Sequence, residues 1–205
     1  MKIGILGMGS IGRRHQANFT ELGCEVICYD PEFSPYKDYS EVLGCDGVVI
    51  ASPSKMHYFH ILECNGLKKP MLVEKPLVML HEHAENAPLT YVRMVGYNLR
   101  FRSCVRKARA WMAEGRIGKP YWARFECAQY NNRPNYRRDG VILNWSHEID
   151  LAFHLLGEGN VMTAYHNKEE TVADMVIAHI NNRCLTTVHL DYVTTPERRS
   201  PPVPS

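Results

Sequence analysis

The chain has 205 residues, 45% of them hydrophobic, and a formal net charge of +2. That is apolar material for one large domain or two small ones, and the near-balanced charge gives no electrostatic case for nucleic acid or a membrane surface as partner. No apolar run approaches the ~18 residues of a membrane helix, the opening residues read as a strand rather than a secretory leader, and seven scattered cysteines without a Cys-x-x-Cys pair fit a reducing, cytoplasmic setting.

Ile3 to Leu6 is an apolar run long enough for a buried strand, read as Lys2–Leu6. It leads into Gly7-x-Gly9-x-x-Gly12 and a helical segment, Ile11–Leu22. In a strand–turn–helix of this kind the first glycine permits the tight turn, the second lets the backbone approach a pyrophosphate, and the third lets helix and strand pack closely. The helix N-terminus adds free N–H groups and a partial positive charge. Gly7, Met8, Gly9, Ser10, Ile11 and Gly12 are thus candidate contacts for a dinucleotide. A second strand, Glu25–Tyr29, ends at Asp30, which lies 18 residues after Gly12, close to the ~20 expected of an acid that binds a ribose 2′-OH. A carboxylate there favours NAD and repels the 2′-phosphate of NADP. Arg13 and Arg14 can accept that phosphate, so NADP stays open; Asp30 can also serve only to start a turn before Pro31.

A helical turn follows near Tyr39–Leu43, then strand Gly47–Ala51, helix Ser54–Asn65 with Ser54 as N-cap, and strand Met71–Val73 running into Glu74-Lys75-Pro76. Strand Tyr91–Tyr97 and an amphipathic helix near Ser103–Glu114 complete the alternation. This pattern predicts an α/β fold, a doubly wound parallel sheet of Rossmann type covered by helices. Ligands of such sheets sit beyond the carboxyl ends of the strands, which puts Gly7–Gly12, Asp30, Ser52–Ser54 and Glu74–Lys75 on one rim.

The pattern changes after Gly115-Arg116-Ile117-Gly118. Lys119–Tyr130 alternates as a long strand, an Asn- and Arg-rich loop follows, Trp145–Leu156 reads as a helix, and Asn160–His166, Thr171–Ile180 and Cys184–Val193 read as strands. We expect a dinucleotide-binding domain over 1–117, a shortened α+β domain with a mostly antiparallel sheet over 118–195, and a Pro- and Arg-rich tail over 196–205.

Lys75 directly follows a buried strand at the rim. Its ammonium can hydrogen-bond a substrate hydroxyl or carbonyl and stabilise a developing alkoxide, with Glu74 holding it and Pro76 stiffening the turn. In the helix of the second region His147, Asp150 and His154 share a face away from the apolar stripe of Ile149, Ala152, Phe153 and Leu156. His147 suits a general acid or base; Asp150 can orient it or favour the helix dipole. No metal is expected: Leu151 breaks the His-Glu-x-x-His pattern, and His57, His60 and Cys64 on one helical face lack a second ligand pair. The loop from Tyr130 through Asp139 mixes aromatics, amides and arginines that suit a polyhydroxylated or anionic ligand, or a polar surface.

Taken together these stretches resemble the glucose–fructose oxidoreductase / inositol dehydrogenase (Gfo/Idh/MocA) family. The matching segments are Gly7 to His15, Ala51 to His57, Glu74-Lys75-Pro76-Leu77, Gly96-Tyr97-Asn98-Leu99-Arg100-Phe101, Gly115 to Pro120 and Gly140 to Asp150, in the family's order over roughly residues 1 to 160. The resemblance implies a Rossmann domain joined to an α/β domain with a largely antiparallel sheet, and oxidation or reduction of a sugar, cyclitol or sugar-nucleotide carbon with NAD(P). It implies Lys75 and His147 as catalytic residues, with Asn144 at the position of a proton-relay aspartate. Ser52, Pro53, His57, Glu74 and Lys75 would line the cofactor, and Asn98, Arg100, Tyr130, Trp145 and Asp150 the substrate. Two departures stand out. Asn144 carries an amide, which cannot take a proton, and the second region is shorter than members of the family show, leaving a sheet edge that must be covered or paired. A dimer through that region is therefore expected, and a catalytically weak NAD-binding sensor or partner-binding protein is the alternative to an enzyme.

Overall fold

The computed structural model describes residues 1–32, 38–130, 140–180 and 183–193. The loop residues Asn131 to Asp139 and the expected tail 196–205 lie outside the described residues. The chain forms two compact units, Met1–Gly96 and Tyr97–Ser205.

In the first unit, β1 (Lys2–Leu6), β2 (Glu25–Tyr29), β3 (Gly47–Ile50), β4 (Met71–Val73) and β5 (Val92–Val95) form one parallel sheet in the order β2-β1-β3-β4-β5. The apolar runs seen in the sequence are these strands; the central β1, β3 and β4 are largely buried, as a helix-covered parallel sheet requires, whereas the edge strands β2 and β5 are only half-buried or exposed. On one face α1 (Ser10–Glu21) packs Ile11 and Phe19 against Ile3, Ile5, Val49 and Ala51. On the other, α2 (Ser40–Leu43) and α3 (His57–Gly66) bring Val42, Ile61 and Cys64 onto Leu6, Val48, Ile50 and Val73. Each large side chain fully buried here contributes about 1.5–3 kcal/mol. The helix expected over Ser54–Asn65 is divided. Ser54–Met56 is a 3-10 turn whose preceding residue is Pro53, and α3 begins only at His57, so Ser54 lies inside the turn and caps nothing. A short helix absent from the sequence reading, α4 (His81–Asn86), follows β4.

In the second unit, a 3-10 turn (Asn98–Phe101) leads to α5 (Ser103–Ala113), β6 (Trp122–Ala128), α6 (Gly140–Asn144), α7 (Ser146–Leu156), β7 (Gly159–His166), β8 (Val172–His179) and β9 (Cys184–Asp191). The sheet order is β6-β9-β8-β7; β7–β8 and β8–β9 are antiparallel, whereas β6 pairs parallel with β9. Alternate residues of β8 and β9 (Ala173, Met175, Ile177; Val188, Leu190) turn inward against Val141, Ile149, Ala152 and Phe153 of the two helices. The pattern break at 117 is therefore not where the contacts divide the chain. The division falls at Gly96, because the Asn98–Phe101 turn packs on α7 and carries α5 with it. β7 is a sheet edge, and Val161, Met162 and Tyr165 on it are each more than half exposed.

Candidate functional site

The glycine turn has the geometry its spacing predicts. Gly7 sits at φ +95°, and a Cβ on it would lie 2.6 Å from the Ala51 carbonyl oxygen and the Ser52 backbone. A Cβ on Gly12 would lie 1.9 Å from the Gly7 carbonyl oxygen, so α1 approaches the turn as only glycine permits. Gly9 differs: it precedes α1 at φ −65°, ψ −170°, a conformation open to any residue, and nothing lies within 4 Å of where its Cβ would stand. The fold itself places no demand for glycine at position 9. A group outside the chain that needs close approach to this backbone explains it, and the residues present thus fit a dinucleotide pyrophosphate.

The turn is locked from below. The Met8 N–H donates to Asp30 Oδ2 at 2.7 Å, the Glu32 N–H donates to Asp30 Oδ1 at 3.0 Å, and Arg13 Nε donates to the Met8 carbonyl at 3.0 Å. Asp30 therefore does start the turn at Pro31, and it also anchors the glycine loop.

Beyond the carboxyl ends of β1, β2 and β3 lies a cleft of about 660 Å³. Of the expected cofactor contacts, Gly7, Gly9, Ser10, Ile11, Asp30, Ser52 and Pro53 line it. Met8 and Gly12 are buried in the turn. His57 is buried too, and its two ring nitrogens face the carbonyls of Pro76 (2.8 Å) and Ser52 (2.9 Å); it ties the loops after β3 and β4 together instead of lining the cleft. Glu74 and Lys75 continue from the end of β4, outside that lining.

Sequence reasoning missed an aromatic wall made of Tyr29, Tyr39 and His60. Tyr39 packs edge-on to His60 with centroids 5.5 Å apart, and its hydroxyl donates to Glu63 Oε2 at 2.6 Å, which with burial pushes its pKa up to about 12. His60 Nδ1 bonds Ser52 Oγ at 2.9 Å, and burial holds its pKa below the usual value. The same burial pushes the Cys64 thiol up to about 12. The one signal for His60 was its helical face, shared with His57 and Cys64, and that face is core.

In the second unit His147 lies in the first turn of α7, with the Tyr97 ring edge-on at 5.8 Å. Burial raises the Tyr97 pKa. Two residues expected to bind substrate bind each other: Arg100 Nε donates to Asp150 Oδ2 at 2.8 Å and its Nη2 to Oδ1, a bidentate pair in which Asp150 is buried. That hydrogen bond raises the Arg100 pKa further. His154, on the same face of α7, is lowered chiefly by burial. Trp145 also departs from expectation. Its ring packs edge-on against Tyr192 at 4.4 Å as part of the core, because the residue before α7 directs its side chain at the sheet. Asn144 Nδ2 donates to the Gly140 carbonyl at 2.9 Å. Asn98 and Tyr130 are exposed.

A parallel sheet in the order 2-1-3-4-5, a glycine turn with an unexplained opening, and an acid at the end of β2 define the first unit as an NAD-binding Rossmann domain. Residues 1–90 match the model of the oxidoreductase family with an NAD-binding Rossmann fold, GFO_IDH_MocA. Over these residues the first unit is similar to the Gfo/Idh/MocA family. The chain is similar to the myo-inositol 2-dehydrogenase of Thermotoga maritima, 25% identical over 187 residues (77% of this chain and 55% of that one), and to the scyllo-inositol 2-dehydrogenase (NAD(+)) of Bacillus subtilis, 27% identical over 196 residues (82% and 57%). It thus spans little more than half the length of these curated relatives. Among solved structures, the WlbA dehydrogenase of Bordetella pertussis, in complex with NADH and UDP-GlcNAcA, has the same fold: TM-score 0.83, 20% identity, covering 95% of this chain and 72% of that one.

Proposed function

We propose that the chain binds NAD along the rim of the first unit and serves as an oxidoreductase for a hydroxyl- or carbonyl-bearing carbon of a sugar, cyclitol or sugar nucleotide. NAD, when bound, supplies the hydride acceptor or donor. The N–H groups at the start of α1 hold the pyrophosphate, Asp30 binds the adenosine ribose and favours NAD over NADP, and Ser52 and Pro53 form a wall. The Lys75 ammonium stabilises the alkoxide, and His147 acts as general acid or base. The observation that carries the reading is Gly9, a glycine whose side-chain space the protein leaves open. The substrate class is supported by the inositol dehydrogenases among the relatives and by the NADH and sugar-nucleotide complex of the WlbA dehydrogenase.

The exposed apolar edge of β7 supports a homodimer through the second unit, and seven scattered cysteines without a Cys-x-x-Cys pair suit a reducing cytoplasm. One observation favours a second reading. Asn144 donates to a backbone carbonyl and cannot relay a proton, as fits a protein that binds NAD and turns over slowly or not at all.

NADH titration by fluorescence, followed by turnover on a panel of inositols and sugar nucleotides, tests both. Lys75→Ala is expected to lower turnover by about 10²-fold with little change in NADH affinity. Wild-type turnover by Lys75→Ala overturns the catalytic assignment, binding without turnover selects the second reading, and absence of NADH binding overturns both.

A further inference from the structure

We infer that His15 and Glu74 are a positioning pair that fixes the Lys75 turn against the phosphate-binding helix. The inference rests on the reading that NAD lies along this rim; it assigns a function to His15, which that reading leaves idle, and gives the expected hold of Glu74 on Lys75 its anchor.

His15 Nε2 donates to Glu74 Oε1 at 2.7 Å, and the two side chains are only 16% and 15% exposed. The other carboxylate oxygen, Oε2, lies 3.3 Å from the Lys75 backbone N–H, which donates to it. A third element shapes the site. A Cβ on Gly96 would fall 2.6–2.9 Å from the three atoms of this carboxylate, so the glycine at the end of β5 leaves the slot that Glu74 fills. The backbone around it is fixed, since Glu74 N–H donates to the Ile50 carbonyl and Gly96 N–H to the Val73 carbonyl, both at 2.8 Å. His15 follows Ile11 by four residues and precedes Phe19 by four, on the face of α1 that meets the sheet, and its ring lies 6.4 Å from that of Phe19. A solvated surface glutamate needs neither a buried imidazole nor a glycine slot.

The sheet order gives the pair its purpose. β2, which ends at Asp30, lies on one side of β1, and β3, β4 and β5 lie on the other. With the pyrophosphate at the β1 turn and the adenosine ribose at Asp30, the nicotinamide half runs over β3 and β4, toward Glu74 and Lys75. The first turn of α1 serves the phosphates and its second turn, through His15, latches the lysine turn. One helix therefore couples the two ends of the cofactor site.

The test compares NADH with ADP-ribose, which has no nicotinamide, by calorimetry on the full chain. His15→Ala is expected to weaken NADH by about tenfold while ADP-ribose changes by less than about twofold. His15→Gln, which keeps an N–H donor at similar reach, restores most of the affinity, and His15→Ala/Glu74→Gln binds no more weakly than Glu74→Gln alone. Gly96→Ala, which displaces the carboxylate without touching α1, gives the same pattern should His15→Ala fail to fold. Wild-type NADH affinity in folded His15→Ala, or equal weakening of both ligands, overturns the pair. A wild-type chain that binds neither ligand overturns the NAD reading itself, and the pair with it.

Discussion

Gly9 and Gly12 lie three residues apart in one turn, yet alanine should act on them in opposite ways. At Gly12 the new Cβ would stand 1.9 Å from the Gly7 carbonyl oxygen, a backbone atom in a turn already held at φ +95°. Contact distance is more than an ångström longer, so α1 or the turn must move, at the 1–3 kcal/mol or more typical of overpacking. For a chain of this size each kcal/mol is worth about 2–4 °C in Tm, so Gly12→Ala should lower Tm by about 4 °C or more. At Gly9 the backbone is ordinary and the space is empty. Alanine is a somewhat poorer residue than glycine at a helix N-cap, but it lowers the entropy of the unfolded chain by about 0.4–1 kcal/mol; the two offset, and Tm should stay within about 3 °C. The methyl nevertheless occupies the path by which a pyrophosphate reaches the backbone, so NADH affinity should fall at least about tenfold. Thermal unfolding by circular dichroism and NADH fluorescence titration measure the two effects separately. A Gly9→Ala chain that binds NADH as tightly as wild type refutes the argument, since Gly9 would then be glycine for no reason the fold or the cofactor supplies.

Asp30→Ala should relax the preference for NADH over NADPH and also cost roughly 1.5–3 kcal/mol, because the Met8 and Glu32 N–H groups lose a charged acceptor; paired coenzyme titrations and urea midpoints read both, and unchanged stability would contradict the anchoring role. Arg100→Ala strands the buried Asp150 carboxylate and should cost about 2 kcal/mol, less than the 3–5 of a wholly buried pair because Arg100 is partly exposed; were Arg100 only a substrate contact, denaturant midpoints would not move. His60 supplies a pH dependence. Burial lowers its folded pKa, so the unfolded chain takes up a proton near pH 6.5 that the folded chain resists. Stability present above that value should fall as the pH drops through it, and His60→Gln should flatten the urea-midpoint profile between pH 7.5 and 5.5.

The elements that were legible are those whose signal is local. β1, β2 and β4 have the bounds read from the sequence, because each is an apolar run, preceded by a single charged residue in β1 (Lys2) and β2 (Glu25), that a strand under helices can bury. His81–Asn86 was illegible for the converse reason: its sequence is polar apart from Ala84, no residue of it is buried, and there is no apolar period to detect. Gly140–Asn144 is five residues entered through a glycine at φ +72°, shorter than any periodicity can mark. The glycine turn was legible in detail because its constraints are steric and close in sequence. The partnerships were not. His15 meets Glu74 across 59 residues and Arg100 meets Asp150 across 50; helical spacing says which face a side chain occupies and nothing about what the fold brings to it.

That distinction changes what the second unit can recognise. Arg100 and Asp150, read from sequence, are a cation and an anion available to a ligand; in the fold each is the other's counterion, with both carboxylate oxygens taken. Trp145 is spent on the core. A ligand that competed for Arg100 would leave Asp150 buried and unpaired, which costs more than a solvent-exposed contact returns. Among the described residues expected to bind substrate, Asn98 and Tyr130 remain exposed, and both offer hydroxyl- or amide-type hydrogen bonds rather than charge. Such groups suit the hydroxyls of a neutral polyol. Substitution of Asn98 by alanine should therefore raise the KM for a cyclitol without altering the denaturant midpoint, whereas Arg100→Ala should move the midpoint first.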